Sequence, residues 1–236
     1  MHNVSIPQSI IDEVVKHRGR EHIFDDLNPA KTALIVVDMQ NGFMMPGVSH
    51  ALCEEAVNVV PNINRIAAAV RATGGTVVWI KNTATAETRQ SWSVKAAMDG
   101  VEKTVQRADA MALGSKGHEL WADLEVRPDD LTVQKTRFSA FIQGSSNLEA
   151  LLRAKGIDTV IITGTVTNVC CESTARDAMM RNFRTIMVTD ANAANSDALH
   201  NASLTAFYLT FGDIMPTNLV IATLNANARA RDTAAE

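Results

Sequence analysis

Cysteine is scarce in this sequence, and basic charge is not in excess. Only three of the 236 residues are cysteines, and two of them, Cys170 and Cys171, are adjacent. Such a set cannot form a disulfide framework, so we expect a reducing, cytoplasmic environment. The 22 basic and 26 acidic side chains give a formal net charge of −4. This balance lacks the basic excess typical of proteins that bind nucleic acid or anionic membranes, and it predicts neither partner.

Long apolar stretches and nucleotide-binding motifs are also missing. No run of residues has the length and apolarity of a membrane span, and the first 20 residues lack the apolar core of a signal peptide. Neither Gly-x-Gly-x-x-Gly nor a phosphate-binding loop occurs, which argues against a nucleotide-binding protein. The sequence predicts no metal site, because no ligand spacing relates its six histidines, which are His2, His17, His22, His50, His118 and His200.

What the sequence does contain is a regular alternation of apolar strands and helices. Six runs of strand length cover residues 33–37, 76–80, 131–134, 158–163, 184–190 and 213–216. Helical spacing follows at 57–72, 148–155, after Cys170, at 198–209 and in a last helix to about 228. Continuous apolar strands separated by helices are typical of α/β proteins. We therefore predict a three-layer, doubly wound, mainly parallel six-stranded sheet with helices on both faces.

One predicted domain accounts for most of the chain. It spans residues 31–228, after a partly helical N-terminal extension over 1–30 and before a frayed tail over 229–236. Residues 83–128 are polar and are predicted to be irregular, apart from a short helix near His118–Leu124. We expect the extension and this long segment to supply subunit contacts or a cover for a ligand pocket.

Four polar or reactive side chains stand at or just after the ends of predicted strands, namely Asp38, Asn82, Lys135 and Cys170. Ligands of open parallel sheets bind at the carboxyl ends of the strands, so these side chains are predicted to meet. A helix's first turn has unpaired N–H groups and partial positive charge, which favours a reactive thiolate at Cys170. Each residue also has an ordinary interpretation, as a cap, a turn residue, a solvated lysine or a small buried cysteine.

Three ordered segments resemble a known family. The sequence is similar to the isochorismatase-like cysteine hydrolases from about residue 33 to 224, and within them to amidases of the ureidoacrylate amidohydrolase type. The matching segments are residues 33–41, 135–141 and 164–178. The resemblance implies a homo-oligomer, either dimer or tetramer, that needs no cofactor and acts on a small-molecule amide or ureide.

The resemblance also implies a catalytic triad of Asp38, Lys135 and Cys170. Cys170 would attack an amide carbonyl and form a thioester, while Asp38 would take the thiol proton and return it to the departing nitrogen. Lys135 would favour the ionised thiol through its positive charge. Cys171 occupies a position that usually holds valine in the family, so we interpret it as a packing residue.

Backbone geometry next to the nucleophile is implied in the same way. The resemblance predicts a cis peptide bond between Thr165 and Val166, a bond that is rare outside proline. The backbone N–H groups of Val166 and Cys170 would then stabilise the oxyanion of the tetrahedral intermediate.

The substrate is less closely defined by the sequence. Residues 82–92 contain no histidine, which disfavours a nicotinamidase with its metal site. By position, Phe43, Asn82 and Phe138 are predicted to line the pocket. Both phenylalanines stand where ureidoacrylate amidohydrolases have tyrosines, and Ala84 replaces a tryptophan. Loss of the hydroxyl groups permits a different or less polar amide.

Three alternatives to an amidohydrolase follow from the same residues. An isochorismatase would cleave a vinyl ether, but such enzymes usually lack the cysteine found at position 170. A non-catalytic interaction protein with the same fold would have no need for all three triad residues. A thiol redox protein is suggested by Cys170 and Cys171, yet their adjacency differs from the Cys-x-x-Cys spacing of dithiol oxidoreductases.

Overall fold

A six-stranded parallel sheet forms the centre of the molecule. The computed structural model describes residues 1–235, and their side chains except at positions 89, 232, 234 and 235. The strands are β1 (Thr32–Val37), β2 (Thr76–Asn82), β3 (Leu131–Lys135), β4 (Thr159–Thr165), β5 (Arg184–Ala193) and β6 (Asp213–Met215). They lie in the order β3-β2-β1-β4-β5-β6, and every neighbouring pair is parallel. The predicted doubly wound fold is confirmed, and the strand order reverses direction between β1 and β4, where such folds bind ligands.

Helices cover both faces of the sheet. They are α1 (Gln8–Arg18), α2 (Asn41–Met44), α3 (Ala56–Ala72), α4 (Ala86–Ser91), α5 (Ser93–Ala110), α6 (Leu148–Ala154), α7 (Glu172–Met180), α8 (Asp197–Thr210) and α9 (Thr217–Ala235). Successive strand residues point to opposite faces. Leu34 and Val36 therefore join a core with α3 and α9, whereas Ile35 and Val37 join a second core with α6, α7 and α8. None of the described helices is long and apolar enough to cross a membrane.

The segment between β2 and β3 differs from its prediction. Residues 86–110, which we expected to be irregular, form α4 and α5, and the expected helix near His118–Leu124 consists of turns. Thr85 begins α4, since its hydroxyl accepts a hydrogen bond from the Thr88 N–H at 3.1 Å. The large apolar residues of α5 recur at helical spacing but are exposed, and they are Val94, Met98, Val101 and Val105. A helix whose apolar side faces solvent is hard to recognise among so many polar residues.

Both termini pack on the domain. In the N-terminal extension, Val14 is buried, and the Arg18 guanidinium donates a hydrogen bond to the Gly212 carbonyl at 2.9 Å. At the other end, α9 continues to Ala235 rather than ending near residue 228 as predicted. Its last turns are rich in alanine and arginine, which have high helix propensity, so helix replaces most of the expected frayed tail. Glu236 lies outside the described residues.

Candidate active site

A buried ion pair joins the ends of β1 and β3. Asp38 follows β1 directly, and Lys135 is the last residue of β3. The Lys135 Nζ lies 2.7 Å from the Asp38 Oδ2, and both side chains are fully buried. The same Nζ donates a hydrogen bond to the Arg137 carbonyl at 3.0 Å. The pair thus fixes an ammonium group beside a carboxylate that is held away from water.

Cys170 is positioned by the connection between β4 and α7. It lies in a π-helical turn, Thr167–Cys171, and its side chain is almost entirely buried. The peptide bond between Thr165 and Val166, just before this turn, is cis. The N–H groups of Val166 and Cys170 therefore belong to one short segment at the start of a helix, where N–H groups lack intrahelical partners. Their role as an oxyanion hole stays a prediction.

Helix α8 supports the turn that carries Cys170. The Thr167 Oγ1 is 2.9 Å from the His200 Nδ1, and the His200 Nε2 is 2.9 Å from the Thr189 carbonyl oxygen. Burial lowers the pKa of His200 to about 4, so its ring is neutral at pH 7. Because a carbonyl only accepts hydrogen bonds, the ring proton lies on Nε2 and the Thr167 hydroxyl donates to Nδ1. Sequence reasoning missed this support, since a lone histidine in a helix has no distinguishing pattern.

The electrostatic state of the thiol differs from our expectation. Burial raises the pKa of Cys170 to about 12; Lys135 acts against this shift, and the negative charge of Asp38 adds to it. The helix terminus and Lys135 were expected to favour the thiolate, but they do not make it the resting form. Desolvation outweighs both effects, and Cys170 is a neutral thiol at pH 7.

Asp38 is suited to accept a proton, and Lys135 is suited to keep its positive charge. Burial raises the pKa of Asp38 above its usual range, although Lys135 and a hydrogen bond with Cys170 oppose the shift. Burial lowers the pKa of Lys135, but the negative charge of Asp38, together with that of Cys170 in its thiolate form, outweighs burial and raises the pKa. Lys135 thus stays protonated, while Asp38 is a stronger proton acceptor than an exposed aspartate.

Of the three side chains, Cys170 lines an open cleft of about 390 Å³, whereas Asp38 and Lys135 are fully buried behind it. Cys170 lines this cleft together with Val166, and so do the three predicted pocket residues, Phe43, Asn82 and Phe138. The structure therefore brings these predicted residues to one place. The cleft residues that sequence reasoning missed come mainly from α5 and from loops, and include His50, Lys95, Asp99, Lys103, Arg107, Asn168 and Asn195. No single helical repeat identifies the four charged residues of α5, because the backbone leaves helical geometry at Gly100, with φ +75°, between Asp99 and Lys103.

Several buried polar atoms of the cleft lack partners. The Asn82 Oδ1, the Asn168 Oδ1 and the His50 Nδ1 make no hydrogen bond with any residue that the structure describes. Burial lowers the pKa of His50 to about 4, so this ring is neutral at pH 7. The backbone of Asn82 is held by Gln40, whose Oε1 accepts the Asn82 N–H at 2.7 Å. Unpaired buried polar atoms are costly, so these groups are available to a ligand.

The chain matches known proteins along most of its length. The model of the isochorismatase domain matches residues 32–218. A protein of Methylobacterium radiotolerans named ureidoacrylate amidohydrolase RutB is 34% identical over 217 residues, which cover 86% of this chain and 83% of that protein. The protein of that name from Caulobacter vibrioides strain CB 15 is 31% identical over 204 residues, covering 81% of this chain and 90% of the other.

Solved structures agree with the sequence comparison. A cysteine hydrolase from Pseudomonas syringae pv. phaseolicola superposes with a TM-score of 0.76 at 31% identity, covering 86% of this chain and 96% of the other. The N-carbamoylsarcosine amidase from Thermoplasma acidophilum gives a TM-score of 0.64 at 28% identity, covering 80% and 97%. The resemblance inferred from the three sequence segments is confirmed, and the chain belongs to the isochorismatase family.

Proposed function

We propose that this protein is a cysteine amidohydrolase that cleaves the C–N bond of a small acyclic amide or ureide without a metal cofactor. The observation that carries the proposal is the buried ion pair of Asp38 and Lys135 beside Cys170, in a cleft open to small molecules. These side chains supply a nucleophile, a proton acceptor and a fixed positive charge, which are what acyl transfer requires.

In the first half of the proposed reaction, Asp38 accepts the Cys170 proton as the sulfur attacks the substrate carbonyl. A C–S bond forms, and the carbonyl π electrons move to oxygen, where the N–H groups of Val166 and Cys170 stabilise the charge. The C–N bond then breaks, and the departing nitrogen takes the proton from Asp38. A thioester remains on the enzyme.

In the second half, water replaces the nitrogen. Asp38, ionised again, accepts a proton from the water as it attacks the thioester, and the C–S bond breaks. The sulfur leaves with its electron pair and recovers the proton from Asp38, which restores the resting thiol. An amide gives ammonia and a carboxylic acid, whereas a ureide gives an amine or ammonia and a carbamate.

The relatives support a substrate of the ureidoacrylate or N-carbamoyl type. Their names specify ureidoacrylate and N-carbamoylsarcosine, both of which contain an acyclic carbamoyl group. In the cleft, the unpaired Asn82 Oδ1 is suited to accept a hydrogen bond from a carbamoyl N–H. Phe43 and Phe138 offer apolar walls to the rest of the molecule.

The alternative functions lack comparable support. For thiol redox chemistry, Cys171 is fully buried, and burial raises its pKa well above its usual range, so it is a poor partner for disulfide exchange. A non-catalytic interaction protein would not require a buried ion pair beside a thiol. An isochorismatase-type reaction on another small substrate would need no nucleophilic sulfur.

The proposed enzyme is a homo-oligomer and works in the cytoplasm. Helix α5 exposes four large apolar side chains, of the kind that subunit contacts cover in oligomers, here by a second copy of the chain. The cytoplasmic location rests on the three cysteines, all of which are free. Light scattering after size exclusion would give the oligomeric state directly.

The test of the proposed function is ammonia release from a panel of small amides and ureides. The panel contains ureidoacrylate, N-carbamoyl acids, biuret, maleamate and nicotinamide, with Cys170→Ala and Cys171→Ala as matched variants. We expect release by the wild type and by Cys171→Ala, and none by Cys170→Ala. Activity retained by Cys170→Ala, or a silent panel together with a Cys170 that iodoacetamide does not alkylate, would overturn the proposal.

A further inference from the structure

Helix α5 carries a cation into the cleft that the proposed chemistry does not use. Arg107 lines the same cleft as Cys170, and its side chain is partly buried. The guanidinium carbon lies 4.8 Å from the centre of the Trp92 ring. Trp92 in turn packs edge-on against Phe138, with ring centres 5.0 Å apart. Stacking on an aromatic ring fixes the plane of a guanidinium while leaving its N–H donors open.

Arg107 has no anionic partner of its own. No residue that the structure describes accepts a hydrogen bond from its guanidinium or forms an ion pair with it. Among the nearby cations, Lys103 is exposed to solvent, and the other two have partners. Lys95 is paired with Asp99 one turn away, and Arg137, which stacks on the same Trp92, donates to the Ser91 hydroxyl at 3.0 Å. Arg107 is thus a partly desolvated cation with free donors.

The guanidinium is also electrostatically linked to the reacting groups. Burial lowers the pKa of Arg107, while the negative charges of Cys170 in its thiolate form, of Asp99 and of Asp38 act in the opposite direction. Arginine remains protonated after any such shift. Because Arg107 and Cys170 line the same cleft, a small molecule that touches Cys170 can also place an anion beside Arg107.

We propose that Arg107 binds a carboxylate of the substrate, so that the enzyme acts on amides or ureides that bear a carboxylic acid at their other end. This inference rests on the proposed function and narrows its substrate class. The carbamoyl end would lie between Cys170 and the Asn82 Oδ1, and the carboxylate would take two parallel N–H bonds from Arg107. Phe138, which lines the same cleft, would contact the apolar part of the substrate.

The first arm of the test compares an acidic substrate with its neutral counterpart, in which the carboxylate is a primary alcohol. For Arg107→Gln we expect KM for the acid to rise about 10- to 100-fold, since hydrogen bonds to charged groups are the strong ones. The KM for the neutral compound should change less than about twofold, because that compound makes no ionic contact with Arg107. Arg107→Lys should recover part of the loss. Arg127→Gln removes an exposed arginine outside the cleft and should behave as wild type.

The second arm does not depend on turnover. Cys170 is alkylated with iodoacetate, which is an anion, and with iodoacetamide, which is neutral. In each case the sulfur forms a C–S bond, iodide leaves with the electron pair of the C–I bond, and the thiol proton passes to Asp38 or water. We expect Arg107→Gln to lower the rate ratio of iodoacetate to iodoacetamide about tenfold, and Arg127→Gln to leave it unchanged.

The two arms separate failure of this inference from failure of the proposed function. A ratio that falls only in Arg107→Gln supports the carboxylate site even if no amide in the panel is hydrolysed. An unchanged ratio and an unchanged KM for the acid, in an enzyme that hydrolyses amides, would overturn the role of Arg107 and leave the hydrolase intact. Equal losses with both reagents would also overturn it, because they would indicate general damage to the cleft.

Discussion

Three ionisable residues lie together in this site, and one proton can pass between the thiol and the carboxylate. At rest, Asp38 is a carboxylate, Lys135 is an ammonium and Cys170 is a thiol, so the buried group is neutral overall. Passing the thiol proton to Asp38 moves the negative charge from oxygen to sulfur without creating a new one. Burial raises the pKa of both acids, and it therefore penalises the transfer far less than it penalises ionisation of the thiol alone.

Asp38→Asn separates the two roles of this carboxylate. We expect turnover to fall about 10²- to 10⁴-fold, since the proton carrier is lost. Alkylation of Cys170 by iodoacetamide should nevertheless become faster at pH 8. Asp38 raises the pKa of the thiol and Lys135 lowers it, so removing Asp38 leaves the lysine as sole partner of a thiolate. Stopped assays of ammonia release and alkylation on the same preparation measure both effects.

Lys135→Gln is expected to change the alkylation rate of Cys170 in the opposite direction. The thiol loses the charge that lowers its pKa, so alkylation should slow while turnover also falls. Asp38 would take up a proton, which removes the unpaired buried charge and lets the variant fold. If both variants changed the alkylation rate in the same direction, the assignment of opposing electrostatic roles would be contradicted.

For single residues, the sequence predicts their positions in the fold better than their protonation states. Asp38, Lys135 and Cys170 could be identified because they follow apolar strands whose carboxyl ends meet at one edge. The protonation of Cys170 could not, because it depends on how completely neighbouring segments exclude water. Arg107 was missed for a related reason: its role depends on the path of α5 across the cleft rather than on its neighbours in sequence.

Among the secondary-structure elements, β4 determines how closely Cys170 approaches Asp38. Gly164 adopts φ +118°, and a Cβ there would lie 2.1 Å from the Val37 carbonyl oxygen on β1. Only a glycine lets β4 pass β1 this closely just before Thr165. The contact brings the end of β1, which Asp38 follows directly, next to the segment that leads to Cys170.

Gly164→Ala is expected to destabilise the protein by about 2–5 kcal/mol, the sum of backbone strain and overpacking. Gly156→Ala is the control, because Gly156 also has a positive φ, +69°, but nothing lies within 4 Å of the added Cβ. That variant should lower the free energy of unfolding by only about 1–2 kcal/mol. Urea unfolding followed by tryptophan fluorescence measures both values. Equal losses would show that steric conflict with β1 does not determine the outcome.

The elements that could be predicted are those buried on both sides. The strands β1, β2 and β4 read as continuous apolar runs, so their existence followed from the sequence. Helices α4 and α5 could not be predicted in the same way. Four charged residues of α5 line the cleft, and the large apolar side chains of that helix are exposed, for instance Val101. Periodicity indicates a helix most clearly when the apolar face is buried.

For the whole molecule, buried neutral histidines couple folding to pH. Burial lowers the pKa values of His50, His118 and His200 each to about 4, whereas an unfolded histidine titrates near 6.5. Between these pH values the unfolded chain binds more protons, so stability rises with pH. The contribution is complete above about pH 6.5 and is lost as the pH falls towards 4. His22 acts in the other direction, because its hydrogen bond with Asp213 raises its pKa.

His118→Gln tests this coupling away from the nucleophile. His118 is buried, and its Nε2 lies 2.8 Å from the Thr83 hydroxyl, a contact that glutamine can replace. The free energy of unfolding in urea should fall from pH 7.5 to pH 5 in the wild type and should fall less in the variant. An identical pH dependence in the two proteins would mean that His118 does not contribute to the loss.

The central claim of this account is that Cys170 carries the substrate's acyl group as a thioester. The direct measurement is mass spectrometry of the enzyme quenched in acid during turnover of a hydrolysed panel substrate, with the adduct located by fragmentation. We predict an acyl or carbamoyl adduct on Cys170 that hydroxylamine removes, that persists in Cys171→Ala and that is absent from Cys170→Ala. Turnover by Cys170→Ala, or an adduct on any other residue, would contradict the account.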